Sequence, residues 1–232
     1  SENSAAGDRG LLDWAEQAAA DPVPDVRRAA LALRVRLTPA ARLDDITARF
    51  LGDPSPEVRH AGAQALAALG AAAVPAICRQ LHSAREEAQI AAIDALGAAL
   101  GPAAGERLLA ELRDGVFARI GANRRLTRAR PAETEIRAAL DDAARRHLRL
   151  VMHALDALGH HRTLNLVRTM MHSRDERSRA NAIESLASLP QRRFVIPILP
   201  LIEGRETTGA APAPGRLDPA LIDETLSSPD PW

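Results

Sequence analysis

A repeated segment is the feature that most limits how this chain can fold. The stretch DPVPDVRRAALALRVRL, which begins at Asp21, shares its turn, its prolines and its Val-Arg pair with DPSPEVRHAGAQALAALG, which begins at Asp53. A third copy begins at Ser173, and a looser fourth copy begins at Ser83. Internal similarity of this kind is typical of stacked repeats, because one repeat cannot bury its own apolar face alone.

The copy at Asp53 predicts one complete helix. Ser55 before Pro56 has the pattern of an N-cap followed by proline at the first helical position, where the missing N–H costs no hydrogen bond. Apolar residues then recur at helical spacing as far as Gly70, a residue that suits the left-handed conformation found at many helix ends. In the other two copies, the spacing of Ser83–Glu86 and of Ser173–Glu176 predicts capping boxes.

Further helices lie between the copies, so the helices come in pairs with a period near 30 residues. No segment alternates polar and apolar residues as a half-buried strand does. The sequence therefore predicts an all-α fold, an α-α superhelix of paired antiparallel helices that occupies residues 10–202. The helices of the copies are expected near 21–37, 53–70, 83–97 and 173–190, and those between them at 40–52, 72–83, 162–173 and 192–204.

The period is lost in the middle of the chain and again near its end. Residues 103–159 predict two longer helices joined around TRARPAE. Residues 203–217 are rich in Pro, Ala and Gly and predict a flexible linker. Residues 218–232 predict a short helix and then the truncated start of a further repeat, because Asp230-Pro231 resembles the opening of the earlier copies. We therefore expect the natural polypeptide to continue.

The pattern D-x-x-x-x-V-R-x-x-A…A-L-x-x-L-G in residues 53–70 resembles the HEAT repeat, in the short form of bilin-lyase-like arrays. In that family, an Asp at the turn and an Arg in the second helix form a ladder between neighbouring repeats. The resemblance assigns this role to Asp21, Arg27, Asp53 and Arg59, and Arg179 is the matching arginine of the third copy. The alternative is that these residues are solvated surface charges.

A narrower resemblance involves the sequence RANA at residues 179–182, the later LPLIEG and the final SSPDPW. Together they resemble the cytoplasmic HEAT region of bacterial ATP/ADP-antiporter-like transporters that also carry a cyclic-nucleotide-binding domain. This resemblance implies a cytoplasmic regulatory module of a larger membrane protein. Its partners would be flanking domains of the same polypeptide or another protein.

Composition argues against two classes of partner. Lys+Arg and Asp+Glu both number 30, so the net charge is zero, and aromatic residues make up 2% of the chain. A chain-wide field for nucleic acid or a membrane surface needs an excess of basic charge, and base stacking needs aromatic side chains. A HEAT-like DNA-binding protein or DNA glycosylase is the alternative function that we consider. No stretch approaches the ~20 apolar residues of a membrane span.

No motif predicts catalysis, so we expect a protein that is not an enzyme and has no cofactor and no metal. The five histidines of the second half, His147, His153, His160, His161 and His172, lack the spacing of a metal site.

An arginine cluster in RIGANRRLTRAR is the strongest candidate for binding a partner or a phosphate group. It lies where the repeat period breaks, and its alternative interpretation is a solvated helix end. Its members are Arg119, Arg124, Arg125, Arg128 and Arg130.

Overall fold

A computed structural model describes residues 2–128, 134–171, 173 and 175–203 of the chain. All regular secondary structure in these residues is helical, which confirms the predicted all-α, HEAT-like helical repeat class. The α-helices are α1 (Glu2–Ala18), α2 (Pro24–Leu37), α3 (Asp44–Leu51), α4 (Pro56–Ala67), α5 (Val74–Gln80), α6 (Glu86–Leu100), α7 (Ala104–Leu112), α8 (Ala118–Arg128), α9 (Thr134–Leu155), α10 (His161–Met171), α11 (Glu176–Ala187) and α12 (Arg192–Glu203).

The chain divides into two compact units, Ser1–Leu108 and Leu109–Trp232. In the first unit the helices pack as the pairs α1–α2, α3–α4 and α5–α6. The second helices of these pairs, α2, α4 and α6, also pack against one another in succession, and α3 packs on α5. The large side chains between the helices, including Leu31, Phe50, Leu66, Ile77 and Leu96, are fully buried. Stacking thus gives each pair the apolar contacts that it could not form alone.

All four repeat copies share one turn before their helix. The side chain two residues before the N-cap residue accepts a hydrogen bond from the backbone N–H of that N-cap residue. Short polar side chains often stabilise turns in this way. The four pairs are Asp21 with Val23 (2.8 Å), Asp53 with Ser55 (2.8 Å), Ser83 with Arg85 (3.2 Å) and Ser173 with Asp175 (3.2 Å).

This turn explains why the capping boxes predicted at Ser83–Glu86 and Ser173–Glu176 are wrong. The N-cap residues are Arg85 and Asp175, because both serines lie two residues earlier and are occupied by the turn. Asp175 caps its helix by accepting hydrogen bonds from two backbone N–H groups of the first turn. The N-cap predicted at Ser55 is confirmed, since its side chain accepts from the backbone N–H three residues on.

The second unit contains a π-helical segment and a kink. Where the sequence predicts a long helix pair at 103–159, α7 and α8 are joined by the π-segment Arg113–Phe117, and α9 is separated from α10 by a kink at Gly159, whose φ of 93° is not helical. Helices α10, α11 and α12 pack in succession, and α12 also packs on α8 and α9. Phe117 and Phe194 meet edge to face, with ring centroids 5.9 Å apart. The predicted linker 203–217 and the predicted helix in 218–232 lie outside the described residues, except for Glu203 at the end of α12.

A glycine sets the close approach of α3 and α4. A Cβ atom built on Gly62 would lie 2.7 Å from Cγ of Phe50, which is buried in the core of the first unit. The absence of a side chain therefore lets the Phe50 ring lie directly on the backbone of α4.

We expect Gly62→Ala to lower the free energy of unfolding by about 1–3 kcal/mol, since the overpacking against Phe50 outweighs the gain in helix propensity. The matched control is Gly10→Ala in α1, where an added Cβ meets nothing within 4 Å. That change should raise stability by up to about 1 kcal/mol. Urea unfolding midpoints of both variants test the contrast, and equal shifts in one direction would contradict it.

Candidate functional site

A bidentate ion pair joins α2, the second helix of the first pair, to the turn that precedes α4, the second helix of the next pair. Arg27 on α2 donates from Nε and Nη2 to the two carboxylate oxygens of Asp53, and both distances are 2.8 Å. The same guanidinium donates from Nη1 to the backbone carbonyls of Asp21 (2.9 Å) and Pro22 (3.0 Å). Such side-on pairs have shorter bonds and more defined geometry than single contacts. Arg27 thereby connects its own turn to the turn of the next repeat.

The turn Gly52–Pro54 is contacted by two further arginines. Arg59 donates from Nη1 to the carbonyls of Asp53 (2.7 Å) and Pro54 (3.0 Å), as Arg27 does with its own turn. Arg85, the N-cap residue of α6, donates to the carbonyl of Gly52. Guanidinium groups from three successive second helices or their caps therefore converge on one turn.

The environment of Asp53 favours its ionised form. Its side chain is 5% exposed, and this burial opposes ionisation. The hydrogen bonds from Arg27 and from the N–H of Ser55, together with the charges of Arg27 and Arg59, outweigh burial and lower the pKa of Asp53 below its usual value. A buried carboxylate is tolerated here because it is paired and fully hydrogen-bonded.

The third and fourth copies keep only part of this pattern, since both have serine in place of Asp53 and only the third has arginine in place of Arg59. Ser83 stands where the turn of the second copy has Asp53, so the turn before α6 carries a hydroxyl and no carboxylate at this position. Gln89 stands where that copy has Arg59, and its Nε2 donates to the carbonyl of Leu81 at 3.0 Å. Arg179 of α11 donates to the carbonyl of Ser173 at 3.2 Å. Each of these side chains reaches the backbone before its own helix.

A four-residue ion network links α1, α2 and α3. Glu16 on α1 pairs with Arg34 (2.6 Å) and Arg49 (2.7 Å), and Asp45 lies 3.6 Å from Arg34 and 3.4 Å from Arg49. Sequence reasoning misses this network, because only Asp45 and Arg49 share a spacing (i,i+4) that indicates a contact, whereas the other contacts join different helices.

The predicted arginine cluster is distributed around α8. Successive residues of a helix turn by roughly 100°, so Arg119, Arg124 and Arg125 point in directions roughly 100–140° apart. Arg119 and Arg124 are half-buried, whereas Arg125 is exposed. The side chain of Arg128 and the whole of Arg130 lie outside the described residues. The DNA-binding alternative, which needs many phosphate contacts along one groove, stays a prediction.

The histidines of the second half are dispersed in the same way. His147 is buried on α9, while His160 and His161 border an open hollow of about 430 Å³ beside Gly159, whose φ is 93°. Among the described residues, no three His, Cys, Asp or Glu side chains come together as metal ligands do. His172 lies outside the described residues.

In the described part of the chain, no helix combines the length and the apolar character that crossing a bilayer demands.

The solvent side of α2, α4 and α6 carries an exposed carboxylate at one equivalent position, and we call this side the second-helix face. Its acidic edge lies two residues after each N-cap. Further exposed polar residues lie five residues after the N-cap on α2 and α4, and nine residues after it on α4 and α6. The face consists of Asp25 and Arg28 on α2, Glu57, His60 and Gln64 on α4, and Glu87 and Asp94 on α6. Neighbouring packed helices lie about 8–10 Å apart, so stacking places equivalent positions at about this distance from one another.

Part of the chain is similar to a known protein family. Residues 43–122 match the family described as HEAT repeats. The matched range, about a third of the chain, starts just before α3 and ends within α8, so it contains two complete helix pairs of the first unit. No curated protein matches the chain, and no solved structure does. The family match and the helical architecture together support a HEAT-like helical repeat.

Removal of the Arg27 guanidinium should destabilise the first unit. In Arg27→Gln the carboxylate of Asp53 stays buried but loses its bidentate ion pair, so we expect a loss of about 2–3 kcal/mol in the free energy of unfolding. Arg28→Gln is the matched control, since the neighbouring Arg28 is 49% exposed and pairs with Asp25 on the same helix. The control should lose less than about 1 kcal/mol. Equal urea midpoints for the two variants would show that the Arg27 contact contributes no more than a surface pair.

Acid should weaken the protein through Asp53. Because its pKa is lowered in the folded state, its contribution to stability is present above the pKa of the unfolded chain, near 4, and is lost as the pH falls through the folded-state value. Asp53→Asn should lower stability at neutral pH and flatten the decline in unfolding free energy below about pH 4. Urea titrations at a series of pH values measure both effects, and an unchanged acid slope in the variant would contradict the assignment.

Proposed function

We propose that this chain is a non-enzymatic protein-interaction module that binds its partner across the second-helix face. HEAT repeats generally mediate protein interactions, and the family match supports a helical module of that kind. The observation that carries the proposal is that three stacked second helices present an exposed carboxylate at the same helix position. A partner segment can therefore run across α2, α4 and α6 and contact the same helix position in each repeat.

The composition of the second-helix face indicates what this partner offers. The exposed carboxylates Asp25, Glu57 and Glu87 form its acidic edge. The imidazole ring of His60 and the side-chain amide of Gln64 are exposed next to it. A partner with Arg or Lys side chains about 8–10 Å apart would match the separation of neighbouring helices. Exposed charges of this type set the association rate and the specificity more than the affinity, so we expect salt-sensitive binding.

A narrower proposal concerns the larger protein. We propose that the module couples a nucleotide-transporter-like membrane domain to a regulatory domain, on the cytoplasmic side of the membrane. The resemblance of residues 179–182 and the neighbouring segments to such transporters supports this step. The full reading frame that encodes the chain tests it, because a transporter would add a series of apolar spans of about 20 residues each. Their absence would remove the transporter and leave the interaction module.

A photo-crosslinking amino acid placed at Gln64 tests the second-helix face in cells. It should yield protein adducts that decrease when the acidic edge is neutralised by Glu57→Gln together with Glu87→Gln, because a basic partner segment would lose its counter-charges. The matched control places the same amino acid at Ala48, which is exposed on α3 in the other helix layer. Adducts of equal yield and identity from both positions, or no effect of the neutralised edge, would contradict the proposed surface.

A further inference from the structure

Helix α12 has one side that is only partly covered, where Ile196 is exposed and Leu199 and Pro200 are half-buried. Phe194, Val195 and Ile198 are buried on its inner side, against the helices that it contacts. On the opposite side Ile196 is 61% exposed, the highest value among the large exposed hydrophobic residues of the described chain. We call this side the open α12 face, and it consists of Arg192, Arg193, Ile196, Leu199 and Pro200.

The corresponding helices of the first unit expose a different kind of residue. On α3 and α5, the solvent side is formed by charged residues, alanine and proline, such as Asp44, Asp45, Arg49 and Arg79. Their largest apolar residues, Ile46, Phe50, Leu51 and Ile77, are buried, and the second helix of the pair packs on each of the two helices. A helix that is apolar nearly all round, such as α12 with its sequence FVIPILPLI, is usually covered on every side. The open α12 face therefore has the character of a contact surface.

We propose that residues 217–228 of the same chain dock on the open α12 face and act as the second helix of the final pair. These residues, LDPALIDETLSS, lie outside the described part of the chain, so their sequence alone enters the argument. The order of elements supports them as the occupant. In the first unit each of α3 and α5 is followed along the chain by the helix that packs on it.

The sequence of this segment has the helix start used by the earlier pairs. Asp218 before Pro219 repeats the arrangement of Ser55 before Pro56, an N-cap residue followed by proline at the first helical position. Leu217 and Ile222 have the spacing of a hydrophobic staple around that N-cap.

In a helix that starts at Pro219, one side would be apolar and the other acidic. Leu221, Ile222 and Leu226 fall on the apolar side, whereas Asp223 and Glu224 point away from its centre. An amphipathic segment of this kind can cover an apolar helix face and keep its charges at the rim.

The charges of the open α12 face and of the segment 217–228 are opposite in sign. The open α12 face carries two exposed arginines at its N-terminal end, Arg192 and Arg193. The segment 217–228 contains Asp218, Asp223 and Glu224 and no basic residue. The arginines alone would give a weak surface attraction, but they favour an acidic occupant over a basic one.

The connection between α12 and the segment is long enough. Thirteen residues, 204–216, separate them. When extended, such a connection spans up to about 43 Å, whereas the 12 residues of α12 span about 18 Å. Tethering also places the segment at an effective concentration on the order of millimolar, so a contact that is weak between separate molecules would be occupied within one chain.

Hydrogen exchange of the full-length chain tests the docking and does not depend on the proposed partner. Amides in 217–228 should exchange at least about tenfold more slowly than in an unstructured peptide of the same sequence. Ile196→Asp should abolish that protection. Leu166→Asp is the matched control, because Leu166 is exposed to a similar degree (49%) on α10 of the same unit, outside the open α12 face, and this change should leave the protection intact.

A charge reversal provides a second test if Ile196→Asp disturbs α12 itself. Arg192→Glu with Arg193→Glu should reduce the protection of 217–228, and adding Asp223→Arg with Glu224→Arg should restore it. Exchange of 217–228 at the rate of the free peptide would overturn the proposal. Protection that survives both Ile196→Asp and the charge reversal would also overturn it, because the segment would then pack elsewhere. Protection that falls on dilution of the protein would assign the contact to a second copy and likewise contradict docking within one chain.

Discussion

The pairing of one buried carboxylate is the contact on which we expect the first unit to depend. Asp53 lies in a turn between repeats, where its burial would be costly if the charge had no partner. The guanidinium of Arg27 reaches it from the preceding second helix, and Arg59 and Arg85 hold the carbonyls of the same turn. We expect these contacts to fix the position of one helix pair relative to the next. The apolar contacts of Leu31, Phe50 and Leu66 add most of the stabilisation but are less directional.

The proposed recognition surface depends on the register of the stacked helices. Because α2, α4 and α6 start from equivalent turns, the exposed carboxylates Asp25, Glu57 and Glu87 lie at equivalent helix positions over three repeats. The same rule applies to the open α12 face, where a first helix lacks a described second helix. The two proposals rest on different contacts, so either can fail alone.

The sequence predicts the repeat and its all-α class because turn residues, proline and apolar spacing are local signals. The same kind of signal misplaces two helix starts, since Ser83 and Ser173 can form either a turn or a cap and only the backbone decides between them. The network of Glu16, Arg34 and Arg49 could not be predicted, because it depends on how three helices approach one another. The functions of the Arg27 and Asp53 contacts and of the arginine cluster on α8 stay predictions.

The most direct test of this account is a double-mutant cycle that combines Arg27→Gln with Asp53→Asn and measures urea unfolding at neutral pH. Residues that contact each other couple by about 0.5–3 kcal/mol, whereas distant and independent residues add within about 0.5 kcal/mol. We predict a coupling free energy above about 1 kcal/mol, because neutralising Asp53 removes the unpaired buried charge that makes the Arg27 change costly. Additive effects of the two substitutions would contradict the claim that this pair holds the repeats in register.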